Sequence, residues 1–250
     1  TLDGEIITPL TVVGDSVFVG TTEGLFALEA ETGSEKWHAA GVNSGTATPL
    51  VVGETVVVRG GPESTGSVSG FDISTGEKQW VAETTAAVGP GIGTAIGETV
   101  FIPAGSLFAI DARTGEKRWK RGLAGSSRVA IAVGDRLVVG YDPSIREPNG
   151  LSAIDPETGD PYWHTGVDLT RPPVVLDGTL YMLHDHVDDD QMIHSVDIDT
   201  GTYRDGVTPE DEFTSSPVTG ANDLIVGETS GGVQAMDPET AEQSWHAESG

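Results

Sequence analysis

Apolar and polar positions alternate in short runs along this chain, and no stretch carries the 3.6-residue period of a helix. Six times, an apolar run meets a two-residue turn and then a second run rich in β-branched residues. The copies are TPLTVVGDSVFVG (8 to 20), TPLVVGETVVVRG (48 to 60), GTAIGETVFIPA (93 to 104), AIAVGDRLVVGY (130 to 141), PVVLDGTLYMLH (173 to 184) and PVTGANDLIVGE (217 to 228). Each predicts a hairpin of two strands, A and B, around a Gly-Asp, Gly-Glu, Asp-Gly or Asn-Asp turn.

A second pattern fills the intervals. It reads LFALEAETGSEKW (25 to 37), VSGFDISTGEKQW (68 to 80), LFAIDARTGEKRW (107 to 119), LSAIDPETGDPYW (151 to 163), IHSVDIDTGTYRD (193 to 205) and VQAMDPETAEQSW (233 to 245). Each predicts a strand C, a tight turn and a strand D. Its turn positions, Gly33, Gly76, Gly115, Gly159, Gly201 and Ala241, recur every 39 to 44 residues. Asp72, Asp111, Asp155, Asp197 and Asp237 precede the turn; their carboxylates suit its backbone N–H groups and the threonine hydroxyl. All five tryptophans, Trp37, Trp80, Trp119, Trp163 and Trp245, fall on one repeat position, where a broad ring can pack on the neighbouring repeat. Their recurrence points to structure and not to a ligand platform. The fifth copy has Asp205 there, with Tyr203 two residues earlier.

Four strands per ~40 residues is the period of a propeller blade. The expectation is an all-β chain, a β-propeller of six four-stranded antiparallel blades in one domain over 1–250. The blades fall near 5–40, 45–83, 88–122, 127–166, 170–206 and 214–248. The alternative is part of a seven- or eight-bladed ring. Strand A is expected innermost with one edge unpaired, so that Pro9, Pro49, Pro173 and Pro217 can sit on it.

The pattern A-[IL]-D-x-x-T-G-x-x-x-W resembles the β-propeller repeat of pyrroloquinoline-quinone (PQQ) enzymes and of the outer-membrane assembly lipoprotein BamB. The likeness runs through all six copies. For the quinoproteins it implies a cofactor stacked between a tryptophan and a disulfide of adjacent cysteines, with calcium held by a carboxylate and an asparagine. This chain has no cysteine, and its three asparagines, Asn43, Asn149 and Asn222, lie in different repeats. No residue carries over as a quinone or calcium ligand, so PQQ is not expected and no catalytic residue is assigned. The BamB-like side of the resemblance implies a non-enzymatic scaffold for a protein or peptide partner. A ligand or metal sensor is the competing reading.

Charge narrows the partners. Thirty-nine acids face thirteen bases, a formal −26, and only Lys36, Lys78, Lys117 and Lys120 are lysines. The composition resembles that of halophile proteins, with salt cations at the acidic surface. Nucleic acid and anionic membrane surfaces are not expected as partners, because phosphate recognition needs clustered Lys and Arg. The absence of cysteine excludes disulfides and thiolate chemistry. No G-x-S-x-G elbow, P-loop or dinucleotide fingerprint is present. No apolar run approaches the ~20 residues of a spanning helix. The chain opens on Thr1 without a signal-like segment, so an exported or cell-surface protein is expected whose signal or anchor lies outside this sequence.

One segment breaks the repeat. HDHVDDDQMIH, residues 184 to 194, brings His184, His186, Asp188 and His194 close in sequence, a set that could hold a divalent metal. Its plain alternative is a solvated acidic loop. His38, His164 and His246 each follow a repeat tryptophan and read as part of strand D. The long loops, 60 to 67, 140 to 150 and 184 to 191, all join strand B to strand C, where a binding face would vary.

Overall fold

The structure is a computed structural model. It describes residues 2–42, 47–60, 66–84, 93–122, 127–141, 150–167, 173–184, 192–207, 213, 215, 217–220, 222–228, 231–240 and 242–248, with the backbone alone at 127, 128, 141, 183, 184 and 205–207. The described residues form twenty-four strands and no helix.

Sheet one holds β1 (Thr11–Val13), β2 (Ser16–Thr21), β3 (Gly24–Glu29) and β4 (Glu35–Ala40). Sheet two holds β5 (Leu50–Val52), β6 (Thr55–Arg59), β7 (Ser67–Asp72) and β8 (Lys78–Glu83). Sheet three holds β9 (Thr94–Ile96), β10 (Thr99–Pro103), β11 (Leu107–Asp111) and β12 (Lys117–Arg121). Sheet four holds β13 (Ser127–Val133), β14 (Arg136–Tyr141), β15 (Gly150–Ile154) and β16 (Pro161–Thr165). Sheet five holds β17 (Val174–Leu176), β18 (Thr179–His184), β19 (Met192–Asp197) and β20 (Tyr203–Val207). Sheet six holds β21 (Val218–Thr219), β22 (Leu224–Glu228), β23 (Gly232–Met236) and β24 (Gln243–Glu248). In every sheet the spatial order is the chain order, so each is an antiparallel meander with strands A and D at its edges. The six expected four-stranded sheets are all present.

The A–B turns work through positive φ. Asp177 and Gly178 have φ of 47° and 75°, the pair of values that a type I′ hairpin requires. In the Gly-Asp and Gly-Glu turns the first residue takes that region instead, as Gly14 does at 59°.

The prolines are not on strand A. Pro49, Pro173 and Pro217 immediately precede β5, β17 and β21, and Pro9 stands two residues ahead of β1. A residue without an N–H cannot open the A–B ladder, so pairing begins just after it.

Strands B and C carry the core. β6 and β10 are buried at every position, because a neighbouring sheet covers each of their two faces. Alternation then divides them between neighbours: Val56 and Val58 pack with Phe18, Leu25 and Trp37 of sheet one, while Val57 packs with Val100, Ile102 and Phe108 of sheet three. Each such side chain contributes roughly 1.5–3 kcal/mol by leaving water. A Val57→Asp change would bury an unpaired charge in this layer.

The chain divides into two compact units, Thr1–Glu147 with Ile154–Asp160, and Pro148–Ala153 with Pro161–Gly250. The first unit has its core between sheets one, two and three and around Phe101, Leu137 and Ile154. The second has its core around Tyr181, Ile193, Phe213, Leu224 and Met236.

Candidate interaction surface

The C–D turn is built from the aspartate outward. Asp111 Oδ1 accepts from the backbone N–H groups of Arg113 and Thr114, at 3.1 and 2.9 Å, and from the Thr114 hydroxyl at 3.0 Å. Arg118 donates to its other oxygen at 2.7 Å. The guanidinium first, and the turn's own donors after it, hold this carboxyl at about 2 against the cost of burial. The same N–H donors reach Asp72, Asp155, Asp197 and Asp237. Asp72 and Asp197 are also held below the usual carboxylate range, chiefly by the Ser74 and Thr200 hydroxyls, and Asp237 chiefly by the Thr240 N–H. The turn glycines Gly33, Gly76, Gly115, Gly159 and Gly201 all have φ between 69° and 78°.

Each of these turns after the first receives a tryptophan from the preceding sheet, where the fifth repeat does not intervene. Trp37 donates its indole N–H to the carbonyl of Ile73 at 2.9 Å, Trp80 to Ala112 at 3.0 Å, Trp119 to Pro156 at 3.0 Å and Trp163 to Ile198 at 2.7 Å. The ring lies against the turn glycine: a Cβ added to Gly76, Gly115, Gly159 or Gly201 would stand 2.5–3.0 Å from an indole carbon. A bulge makes this possible. In sheets one, two, three and six the register shifts next to the tryptophan, setting it opposite Ala27, Gly70, Ala109 and Ala235. Small residues there leave the ring room to lie flat.

Sheet five departs from the alignment read from the sequence. Its register shift lies between Ile193 and Ser195, so Arg204, and not Asp205, faces the small-residue position at Ser195. Arg204 approaches Glu239 in the sheet-six turn at 4.0 Å, with both side chains well exposed. Tyr203 turns back within its own sheet, its hydroxyl 2.6 Å from His194 Nδ1.

Of the four residues considered for metal binding, His186 and Asp188 lie outside the described residues. His184 closes β18, paired through the backbone with Met192, two positions along from the Met182–His194 pair. His194 is buried and shares its Nδ1 with Tyr203. Among the described residues no three His, Asp or Glu side chains stand together as a metal cluster.

Sequence reasoning missed the partners of the other histidines. His38, His164 and His246 cross to strand C and cover the glycine that opens it: a Cβ on Gly24, Gly150 or Gly232 would come within 2.9 Å of the imidazole. His38 stacks on Phe26 at 3.9 Å, His164 meets Ser152 at 3.3 Å, and His246 meets the buried Glu228 at 3.1 Å. The signal was available as a covariation inside the chain. Gly-x-x-Ala opens strand C in the repeats that have Trp-His on strand D, namely the first, fourth and sixth. Arg59 also went unnoticed. It is buried at the end of β6, and it donates to the Pro103 carbonyl in sheet three at 2.8 Å; burial pushes its guanidinium down to about 10.

Apolar side chains remain at the strand edges. Val12 on β1 is 62% exposed and Val218 on β21 is 58% exposed. Each lies on a strand with one neighbour in its sheet, so apolar surface and unpaired backbone donors and acceptors occur together there.

Comparison with known proteins places these features in a family. The model of outer membrane protein assembly factor BamB matches residues 2–136 and 103–250. The BamB of Burkholderia pseudomallei is 29% identical over 260 positions, covering 95% of this chain and 65% of that protein. The BamB of Shewanella oneidensis is 24% identical, covering 92% of this chain and 60% of that protein. The chain thus spans less than two-thirds of the length of these relatives. Among solved structures, BamB from Moraxella catarrhalis aligns over 99% of this chain and 78% of that one, with a TM-score of 0.76 and 22% identity. A europium-containing methanol dehydrogenase aligns over 97% of this chain and 68% of that one, with a TM-score of 0.72 and 16% identity, a likeness of fold alone. The six sheets are blades of a β-propeller, and the chain belongs to the family of outer membrane protein assembly factor BamB.

Proposed function

We propose that this chain is a non-enzymatic β-propeller scaffold that holds an extended segment of a polypeptide partner, in an exported or cell-surface setting. The observation that carries the reading is the exposed apolar edge of strand A, with Val12 on β1 and Val218 on β21. An edge strand offers main-chain hydrogen bonds to an added strand, and its exposed side chains offer apolar contact. The relatives' description as assembly factors for outer membrane proteins fits a client that is itself rich in strands. The reading requires no cofactor and no metal.

The test is site-specific photocrosslinking in molar salt to an unfolded β-barrel polypeptide. A crosslinker at position 12 or 218 should capture the client, and one at Glu157, on an exposed turn, should not. Val12→Lys should reduce capture. Equal capture from all three positions would refute the edge as the docking element.

A further inference from the structure

Bases are scarce in this chain, and they gather in one place. Five of the thirteen, Arg113, Lys117, Arg118, Lys120 and Arg121, fall within residues 113 to 121, where Glu116 is the one acid. Four of them lie on β12, strand D of sheet three. The repeat does not require this. β4, β8, β16, β20 and β24 hold the same place in the other sheets, and none carries more than one Lys or Arg. Charge on an edge strand guards against unwanted pairing. Acids would serve that purpose equally in a chain with thirty-nine of them, so the sign of the charge on β12 calls for another reason.

The ladder sorts these bases by face. β12 is an edge strand whose neighbour among the described residues is β11. Lys120 stands opposite Phe108 and Lys117 opposite Ile110, so the two lysines share one face of the sheet. Their ammonium groups lie 5.2 and 5.6 Å from the centroid of the Phe108 ring. An aromatic face holds a cation in place but carries no net charge to cancel it. Trp119 and Arg121 take the other face, opposite Ala109 and Leu107. The arginines are committed to the fold. Arg118 donates to Asp111 at 2.7 Å, and Arg121 donates to the Gly159 carbonyl at 2.6 Å, with Asp160 at 3.8 Å. Both lysines are exposed, and all of these residues belong to the first compact unit.

We infer that the second edge of β12 is a docking site for an acidic, extended segment of a partner polypeptide. The segment adds to sheet three as a fifth strand, with carboxylates at alternate positions on the face that Lys117 and Lys120 share. Strand addition supplies main-chain hydrogen bonds, and the lysines select the side chains. β12 is five residues long, about 17 Å, which suits a short strand. A nucleic acid or a membrane surface is broader and would also meet the rest of a chain with a formal −26. This site does not rest on the strand-A edge proposed above.

Fluorescence anisotropy with a short labelled peptide of alternating Glu and Val tests the inference. Moderate salt is used, where long-range repulsion from the other acids is screened and contact ion pairs persist. The native chain should bind this peptide, and should bind a Gln-Val counterpart at least about 5-fold more weakly. Lys117→Gln combined with Lys120→Gln should weaken binding of the Glu-Val peptide by a similar factor. Lys78→Gln removes a lysine from the equivalent place on β8, opposite Phe71, and should leave binding unchanged. N-methylation of the peptide along its pairing edge should abolish binding, because it removes the main-chain donors. Absence of binding by the native chain, an equal loss with Lys78→Gln, or undiminished binding of the N-methylated peptide would overturn the inference. Tighter binding of single-stranded DNA or of phosphatidylglycerol vesicles through the same two lysines would overturn it too. Loss of client capture at positions 12 and 218 with peptide binding intact would instead count only against the strand-A edge.

Discussion

Trp80 donates its indole N–H to the carbonyl oxygen of Ala112 at 3.0 Å, in the next sheet of the chain. The ring then lies so close to Gly115 that a Cβ there would stand 2.6 Å from Cδ2. One hydrogen bond and one close approach thus fix how sheet two meets sheet three.

Removing either half should be costly in a different way. Trp80→Ala should destabilise by ~3–5 kcal/mol through lost burial and the cavity left behind. Gly115→Ala should cost at least ~1–2 kcal/mol in backbone strain alone, with the collision added. The double variant should fall short of the sum, because without the indole the new methyl meets no ring. Urea denaturation in molar salt measures all three; strict additivity would mean that the two residues do not act on each other.

The turn aspartates make stability depend on acid. Asp111 is held at about 2, below the ~3.9 of an unfolded aspartate. Its contribution is therefore complete above about pH 4 and is lost as pH falls toward 2. Asp72, Asp197 and Asp237 are lowered too and act in the same direction. The melting temperature should fall across this window, and Asp111→Asn should make that fall shallower while leaving the neutral-pH profile flat. A carbon-detected NMR titration of Arg118→Ala should show the Asp111 carboxyl rising toward its ordinary value.

Salt should stabilise the fold. A formal −26 on 250 residues means that acidic groups repel one another in the folded chain. The Debye length shrinks from ~10 Å at 0.1 M to ~3 Å at 1 M, so the melting temperature should climb between dilute buffer and molar KCl. A midpoint that does not move would show that the acidic side chains are already spaced or paired well enough to make screening irrelevant.

The contact from sheet five to sheet six should be the weakest of its kind. An exposed ion pair such as Arg204–Glu239 is worth ~0–1 kcal/mol, much less than a buried indole. Amides of β22 and β23 should exchange with solvent sooner than those of β10 and β11. Arg204→Ala should change stability by less than ~1 kcal/mol, whereas Trp163→Ala should cost several times that. Equal protection of both pairs of strands would assign the strength of that contact to other residues, such as Phe213 and Tyr181.

The repeats were legible because their spacing carries the physics. Apolar runs broken by Gly-Asp and Thr-Gly turns led directly to six four-stranded sheets, and the common position of the tryptophans pointed to packing between neighbours. Bulges were not legible. Counting from Gly201 reaches Asp205, but the ladder shifts at a different place in sheet five, so Arg204 faces Ser195. A shift of one residue turns a side chain to the other face of the sheet, and it leaves no trace in composition. The strand-A prolines were misplaced for a related reason, since edge tolerance permits a proline on the strand but does not require one there. The histidines of sheets one, four and six were seen as part of strand D; what they cover depends on cross-strand register, which one strand read alone does not contain.

The tryptophan of one sheet completes the turn of the next, so a single four-stranded repeat is never self-sufficient. Any excision at a repeat boundary leaves the same two scars, one bare indole and one open turn. Any insertion of a whole repeat consumes one of each and restores one of each. Gene duplication can therefore lengthen or shorten such a protein in steps of one repeat without inventing a new joint. The junction with Arg204 and Glu239 is where this interchangeability has lapsed, and a repeat transplanted there would have to bring its own partner.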